Sequence, residues 1–268
     1  MGGSEMKPVL SLTDVWLRYD SHQPWVLRGI NIHIDEGDWV TILGANGSGK
    51  SSFIRLMNGL LQPTKGEVIV CGMSASEPEK FIDIRKEVGM VFQNAENQIV
   101  GITVEEDTSF GLYNLGFPSD EIASRCREVW SLLGLPDKQD SPPHFLSGGE
   151  KQKLAIAGVL VMRPRIILFD EPASMLDAIS TRQLYALMTD LHQKGCTIIV
   201  VTNEVEDMFY GNRLVMMHEG DIRYDGPPLE AVKHSSIFKD CRLLPPFRTR
   251  MRDIAANWGI ESWLESVE

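Results

Sequence analysis

The sequence predicts an α/β fold with a parallel sheet at its centre, and three stretches support that prediction. Residues 39–43 are an apolar run that leads through a glycine-rich loop into a helix-like segment at 52–57. Residues 166–170 and 196–202 are two more apolar runs of strand length, separated by a helical pattern over 181–194. Strands that are apolar on both faces and alternate with helices are typical of a parallel sheet covered on both sides.

Other stretches of strand length surround this centre. Some alternate apolar and polar residues, as strands buried on one face do, and glycine, proline or acidic residues separate them. The strands expected from these stretches lie at residues 9–19, 26–34, 67–71, 88–92, 214–218 and 221–225, the last two joined as a hairpin.

Between residues 103 and 162 the pattern changes from that of strands to that of helices. Residues 104–115 predict one helix, Ser119 is expected to cap a second, and residues 146–160 predict a third. Because the strand pattern resumes at residue 166, we expect these helices to form an insertion in the sheet domain, not a second independent domain.

The loop after the central strand reads GANGSGKS over residues 44–51, and we call it the phosphate loop. Its glycines let successive N–H groups point at phosphate oxygens, and the helix that follows turns its positive end toward the same anion. Lys50 adds a full charge, and the Ser51 hydroxyl is placed to ligate Mg²⁺. A glycine turn followed by a surface lysine is the alternative, but the complete pattern in its strand–helix setting favours a phosphate site.

Composition limits the partners. The net charge of −11 and the absence of a basic stripe argue against a nucleic-acid backbone as the main partner. The four cysteines are far apart and form no metal-ligand spacing, which predicts reduced thiols in a cytosolic protein. No apolar run approaches the roughly 18 residues that span a bilayer, and the N-terminus has no secretory segment, so any role at a membrane is expected at its surface.

Polar side chains follow several of the predicted strands. Asp170 and Glu171 end the apolar run at 166–171, at the carboxyl edge where α/β sheets bind ligands. Gln93 follows the strand at 88–92, where its amide could position Mg²⁺ or water. Tyr19 ends the first strand, where it could stack on a base or simply be a strand-end tyrosine.

Taken in order, these motifs resemble those of the ATPase subunit of an ATP-binding cassette (ABC) transporter. The matching segments are Walker A at 44–51, Gln93, the signature LSGGEKQ at 146–152, Walker B at 166–170 with Glu171, and the D-loop at 174–177. Residues 91–100 and 103–107 look most like the energy-coupling factor (ECF) group, whose ATPases drive bacterial uptake of vitamins or transition-metal ions. The resemblance runs from about Tyr19 to Gly226.

The resemblance implies a RecA-like P-loop core with an antiparallel β subdomain and an inserted helical subdomain. The cassette would span residues 7–233, with the core at 7–102 and 163–233 and the helical subdomain at 103–162, followed by a C-terminal extension at 234–268. The implied cofactors are ATP and Mg²⁺. The ATP contacts would be Tyr19, Gly44, Asn46, Gly47, Ser48, Gly49, Lys50, Ser51 and Ser52, together with Ser147, Gly148 and Gly149 acting on the ATP of a second cassette.

The family's chemistry carries over to individual residues. Tyr19 would stack on adenine, while Ser51, Gln93 and Asp170 would hold Mg²⁺ and Glu171 would polarise the attacking water. At one position the sequence departs from the family, because Thr202 is followed by Asn203 where the family has the switch histidine. Asparagine can donate a hydrogen bond but is shorter than histidine and cannot carry a proton at neutral pH, so turnover is expected to be reduced.

The implied partners are a second ABC ATPase subunit, a transmembrane coupling subunit and a separate substrate-binding membrane protein, with no nucleic acid. A heterodimer is favoured, since a homodimer would carry Asn203 in both sites. The expected location is the cytoplasmic side of the cell membrane, as a peripheral protein. Two alternatives remain: a degenerate cassette that binds ATP while its partner hydrolyses, and a soluble cassette of DNA repair or translation, which the acidic charge disfavours.

Overall fold

The computed structural model describes residues 8–135 and 137–258, and these form two sheets with helices around them. The strands begin and end within two residues of the predicted stretches, and the short strand Met73–Ser74 was not predicted. They are β1 (Pro8–Leu17), β2 (Leu27–Asp35), β3 (Trp39–Leu43), β4 (Lys65–Val70), β5 (Met73–Ser74), β6 (Val88–Val91), β7 (Ile166–Asp170), β8 (Thr197–Thr202), β9 (Arg213–His218) and β10 (Asp221–Gly226).

The helices follow the phosphate loop, fill the interval between β6 and β7, and continue past β10. They are α1 (Lys50–Met57), α2 (Phe81–Glu87), α3 (Val104–Asn114), α4 (Ser119–Leu133), α5 (Gly148–Leu160), α6 (Ala178–Gln193), α7 (Pro228–Lys233), α8 (Ser236–Asp240) and α9 (Phe247–Trp258). None of the helices within the described ranges is long and apolar enough to cross a bilayer.

The larger sheet has the strand order β10-β9-β3-β8-β7-β6, and the strands from β9 to β6 run parallel. The smaller sheet, in the order β2-β1-β4-β5, is antiparallel throughout. Every residue of β3, β7 and β8 is buried, whereas β1 and β2 interleave buried with exposed positions. The predicted α/β fold, with its central parallel sheet and its antiparallel β subdomain, is therefore confirmed.

The two faces of the larger sheet pack in separate cores. Ile166 and Leu168 of β7 join the cluster that includes α1 and the smaller sheet, whereas Ile167 and Phe169 join the cluster that includes α4, α5 and α6. Helices α3, α4 and α5 pack on one another and share this second cluster with the sheet. Burial on both faces explains why the central strands are mostly apolar.

The chain after β10 packs on the larger sheet beside β9 and β3. Phe238 and Cys241 of this segment are buried in a third cluster with Leu43, Met208 and Met216. These contacts hold α7 and α8 against β9 and β3. Residues 259–268, which belong to the predicted C-terminal extension, lie outside the described part of the chain.

Two local expectations were wrong. Ser119 does not cap α4: Pro118 occupies the N-cap position with an extended backbone, and Ser119 is the first helical residue. Proline has no side-chain acceptor, so no side chain caps this helix. Tyr19 does not end β1 either, since the strand stops at Leu17 and Tyr19 lies in the bend that follows.

Candidate functional site

The phosphate loop leaves the carboxyl end of β3 and leads directly into α1. Gly49 stands at the N-cap with φ 103°, a backbone conformation that L-residues with side chains rarely adopt. At Gly44 a Cβ atom would lie 2.4 Å from the Ser48 Oγ and 2.6 Å from the Met217 carbonyl oxygen, so only glycine fits there. The loop thus depends on glycine both for its turn and for its close packing on β9.

A cleft of about 400 Å³ opens at this loop. Its wall combines the loop with residues from two other strand ends and with one residue before β2. The lining residues are Val26, Asn46, Gly47, Ser48, Gly49, Lys50, Ser51, Ser52, Gln93 and Glu171. All but Val26 were predicted as site residues.

Lys50 is folded back onto the loop. Its Nζ donates to the Gly44 carbonyl oxygen at 2.7 Å and to the Ala45 carbonyl oxygen at 3.3 Å, and only 5% of the residue is exposed. Burial lowers the pKa of the ammonium, and the nearby carboxylates of Glu171 and Asp170 oppose that shift. A cation already removed from water meets a phosphate without a further large loss of hydration.

Ser51 and Asp170 form a direct pair at the floor of the site. The Ser51 Oγ donates to the Asp170 Oδ1 at 3.0 Å, and Asp170 is 3% exposed. Burial raises the pKa of this carboxyl, against the lowering effects of the Ser51 hydrogen bond and of Arg55 and Lys50. A hydroxyl, a carboxylate and the nearby amide of Gln93 are oxygen ligands of the kind Mg²⁺ prefers, so these residues fit the implied metal.

Gln93 and Glu171 meet across the cleft. The Gln93 Nε2 donates to the Glu171 Oε2 at 2.8 Å. Glu171 has φ 46°, in the left-handed region, and its N–H donates to the Val201 carbonyl oxygen at 2.8 Å. The backbone hydrogen bond to β8 holds Glu171 in this unusual conformation. The chain therefore leaves the line of β7 at Glu171, and the side chain points at Gln93.

Tyr19 is anchored beside the loop, not within the cleft wall. Its hydroxyl lies 2.8 Å from the Ser52 Oγ at the first turn of α1, and 55% of the residue is exposed. An exposed ring fixed at its hydroxyl end offers a face on which a base could stack. The adenine contact remains a prediction.

The signature loop, residues 146–149, lies at the start of α5. Ser147 is the N-cap and forms a capping box with Glu150: the Glu150 carboxylate accepts from the Ser147 N–H and hydroxyl, each at 2.9 Å. The hydrogen bond from Lys138, then those from Ser147, lower the pKa of Glu150 to about 2. Ser147 and Gly148 are exposed and do not line the cleft of their own chain.

Asn203 follows β8 at the same edge of the sheet. Thr202 pairs with Leu43, and Val201 with Asp170, so Asn203 comes one residue beyond the strand that separates the phosphate loop from Glu171. Its side chain is exposed and is not part of the cleft wall. The position agrees with a switch role, but the contact with phosphate stays a prediction.

Two residues at this site were missed by sequence reasoning. Val26 lines the cleft but lies between two strands in no motif, so nothing in the sequence marks it. Gln98 connects two segments through backbone groups, at Phe92 and Ala155, that lie far apart in sequence. Partners of that kind have no sequence signature.

Comparison of the sequence with known proteins identifies the family to which the chain is similar. The model of the family described as ABC transporter matches residues 27–174, which include the phosphate loop, the signature loop and Asp170. The chain is 38% identical over 256 residues to the energy-coupling factor transporter ATP-binding protein EcfA1 of Halalkalibacterium halodurans, covering 96% of this chain and 92% of that protein. It is 42% identical over 220 residues to the cobalt import ATP-binding protein CbiO of Syntrophus aciditrophicus, covering 82% and 79%.

The fold is similar to that of a solved cassette. A dimeric structure of a post-hydrolysis state of the ATP-binding cassette MJ0796, bound to ADP and Pi, gives a TM-score of 0.75 at 28% identity, covering 82% of this chain and 98% of that one.

Proposed function

The chain belongs to the ABC transporter family of ATP-binding proteins, and on that premise we propose that it binds and hydrolyses ATP to power an importer of the energy-coupling factor type. The observation that carries the proposal is the convergence of Lys50, the Ser51–Asp170 pair and the Gln93–Glu171 pair at one edge of the parallel sheet. The proposed cargo is a vitamin or a transition-metal ion, and the name of the cobalt-importing relative supports the second class.

Each residue has a role in the attack of water on the γ-phosphorus, during which the bond to the leaving ADP oxygen breaks. Lys50 exchanges its loop carbonyls for phosphate oxygens and stabilises their charge. Ser51 and Asp170, with Gln93 nearby, would hold Mg²⁺, and the ion would supply positive charge against the phosphates. Glu171 keeps one carboxylate oxygen on Gln93, and its other oxygen is available to orient and polarise the water.

A second cassette completes the site. Because Ser147 and Gly148 are exposed at the N-terminus of α5 and absent from their own chain's cleft, we propose that they contact the γ-phosphate held by a partner cassette. The dimeric state of the structurally similar MJ0796 supports this arrangement. We favour a heterodimer, since a homodimer would place Asn203 in both sites.

A variant of Glu171 tests the ATPase proposal. Glu171→Gln keeps the size of the side chain but removes the charge that polarises water, so turnover should fall roughly a hundredfold or more while ATP binding persists. ATP hydrolysis and ATP-bound dimer are measured on the complex purified from membranes and on the chain alone, with Glu128→Gln, an exposed carboxylate on α4, as control. Hydrolysis by the Glu171 variant at the parental rate would show that another group activates the water.

One observation favours a second function, that of a degenerate cassette whose partner hydrolyses ATP. Asn203 stands where the switch histidine is expected, and the acids that follow it offer no substitute. The Asp207 Oδ2 already accepts a hydrogen bond from the Thr202 hydroxyl at 2.8 Å. Water positioning supplies much of the catalysis in phosphoryl transfer, so its loss at this site would leave ATP binding intact and turnover slow.

Asn203→His separates the two functions. Loss of one well-placed transition-state contact costs about 3 kcal/mol, or roughly a hundredfold in rate, so restoring the ring should raise turnover by up to that factor with little change in ATP affinity. Asn203→Gln, which lengthens the amide without adding a ring, is the matched control. Brisk turnover by the parental chain that Asn203→His does not alter would reject the degenerate function.

We further propose that a transmembrane coupling subunit docks beside Gln93, on the cytoplasmic side of the membrane, with a separate membrane protein binding the cargo. The surface there carries the exposed apolar side chains Val100, Ile102, Phe110 and Tyr113. Glu106 shares a helix face with Phe110 and Tyr113, and Glu105 adds charge beside it. Asp107 cannot contribute, because it is 8% exposed and accepts from the Val100 and Gly101 N–H groups. A partner segment with basic and apolar residues fits this surface.

A further inference from the structure

The helices around the signature loop enclose a cavity of about 370 Å³, which we call the α4–α6 cavity. Helices α4 and α5 line one side of it, and α6 with the segment before it lines the other. Its described lining residues do not overlap with those of the cleft at the phosphate loop. The wall is mostly apolar and includes Leu132, Leu133, Ile156, Leu176, Leu184 and Leu187. A concave apolar space of this size is of the kind that holds a small molecule.

One buried polar side chain in this wall lacks a partner. Gln152, near the start of α5, is 6% exposed and lines the cavity. Its Nε2 has no hydrogen-bond acceptor among the residues that the structure describes. Leaving a buried donor unpaired is costly, and most buried side-chain donors in folded proteins have a partner. The Gln152 amide therefore calls for an acceptor from outside the chain, either a bound water or part of a ligand.

The charge of the wall indicates which acceptor fits. Lys153 is the one charged residue among the described residues that line the cavity, and it takes part in none of the ion pairs found there. Glu150, in the first turn of α5, pairs with Lys138 and does not line the cavity. Asp177, at the N-cap of α6, accepts from a backbone N–H of its own helix and does not line it either. A carboxylate in the cavity would meet a cation and an unpaired donor, with no acid in the described wall to oppose it.

We propose that the α4–α6 cavity binds a small apolar molecule that carries one carboxylate, of the kind of a medium-chain fatty acid. The hydrocarbon part packs on the leucine and isoleucine side chains, and its burial supplies most of the affinity. The carboxylate accepts from the Gln152 Nε2 and pairs with Lys153. Rotation about the last torsion of Gln152, which is soft, turns Nε2 toward the carboxylate. The inference goes beyond the proposed function, because the site lies outside the nucleotide cleft and requires no ATP hydrolysis.

The experiment titrates octanoate, below the concentration at which it forms micelles, into the full chain and follows the methyl NMR signals of isoleucine and leucine. 1-Octanol, which has the same hydrocarbon chain without the charge, is titrated in parallel. The variants are Gln152→Met, which keeps the side-chain length but removes the donor, and Lys153→Met, which removes the charge. Gln193→Met and Lys239→Met, at exposed helix positions, are the matched controls. The melting temperature of each protein is measured without either probe.

We expect octanoate to bind saturably and to shift the methyl signals of Ile156 and Leu184, while those of Ile42 in the central sheet stay in place. Its affinity should fall roughly tenfold in Gln152→Met, as expected for loss of a hydrogen bond to a charged group. Lys153→Met should weaken binding severalfold, because this lysine is only partly buried. Without probe, Gln152→Met should melt a few degrees above the parental chain, because it removes an unpaired buried donor.

Three results would overturn the inference. Octanoate that shifts no methyl signal of the cavity would show that no such ligand binds there. Binding that both Gln152→Met and Lys153→Met leave unchanged, or that 1-octanol matches, would show adsorption to an apolar surface without recognition of a carboxylate. A melting temperature lowered by Gln152→Met would show that the amide serves the fold, with a bound water as its acceptor.

Discussion

Lys50 gives the sharpest test of the phosphate site, because its contacts allow the effect on affinity to be separated from the effect on stability. Lys50→Met keeps most of the side-chain volume and removes the charge. The ammonium now donates to two loop carbonyls, and ATP would replace them with phosphate oxygens. Hydrogen bonds that involve a charged group contribute about 1.5–3 kcal/mol each.

The net effect is a difference between two states. Two phosphate contacts contribute about 3–6 kcal/mol. The bonds to Gly44 and Ala45 offset about half of that, because their acceptors are neutral and the second bond is long at 3.3 Å, which leaves about 1.5–3 kcal/mol for binding. Since 1.4 kcal/mol is a factor of ten, ATP affinity should fall roughly 10–100-fold. The free energy of unfolding should change little. Lys50→Met loses the two contacts with loop carbonyls, but it also removes the cost of burying a charge, the same cost that lowers the pKa of Lys50.

Calorimetric titration with Mg-ATP measures the affinity, and urea unfolding measures the stability. Lys233→Met, at an exposed ion pair on α7, is the matched control and should alter neither quantity by more than a few tenths of a kcal/mol. A folded Lys50→Met protein with parental ATP affinity would refute the assignment of Lys50 to phosphate.

The other predictions concern the docking surface and the signature loop. Reversing charge at Glu105 and Glu106 to lysine should weaken recruitment to membranes that contain the coupling subunit, and parental recruitment should fall with added salt; recruitment indifferent to both would place the contact elsewhere. The second prediction follows from the pKa of about 2 for Glu150. A folded-state pKa below the ordinary 4.5 gives stability that is present above pH 4.5 and lost as the pH falls toward 2. The advantage of the parental chain over Glu150→Gln in urea unfolding should therefore be about 1 kcal/mol at pH 6 and shrink below pH 4.5, and Lys138→Met should reduce that pH dependence.

The central part of the fold could be predicted because its signals are local. The run from Trp39 through the phosphate loop has the apolar strand, the glycines and the helix side by side in the sequence, and the structure has them in that order. The Ser51–Asp170 contact could be anticipated only through the resemblance, since the two residues are 119 positions apart.

What could not be predicted depends on packing between distant segments. The cap of α4 was assigned to Ser119 by residue type, but Pro118 occupies the N-cap position and Ser119 is already helical. Gln98 lies in the ECF-like stretch 91–100, but that stretch does not reveal its contacts, because both of its partners are backbone groups that every residue carries. The left-handed backbone of Glu171 is likewise invisible in the sequence, where a glutamate after a strand suggests only a charged strand end.

The left-handed backbone at Glu171 means that the residue best for stability and the residue proposed for catalysis differ at this position. A side chain at φ 46° costs about 1–2 kcal/mol that glycine would not. A library of variants selected only for heat resistance should therefore be enriched in glycine or asparagine at 171, and every such variant would lack the carboxylate that we propose polarises water. We therefore expect that mutations chosen to stabilise this chain without loss of the proposed turnover should leave position 171 untouched.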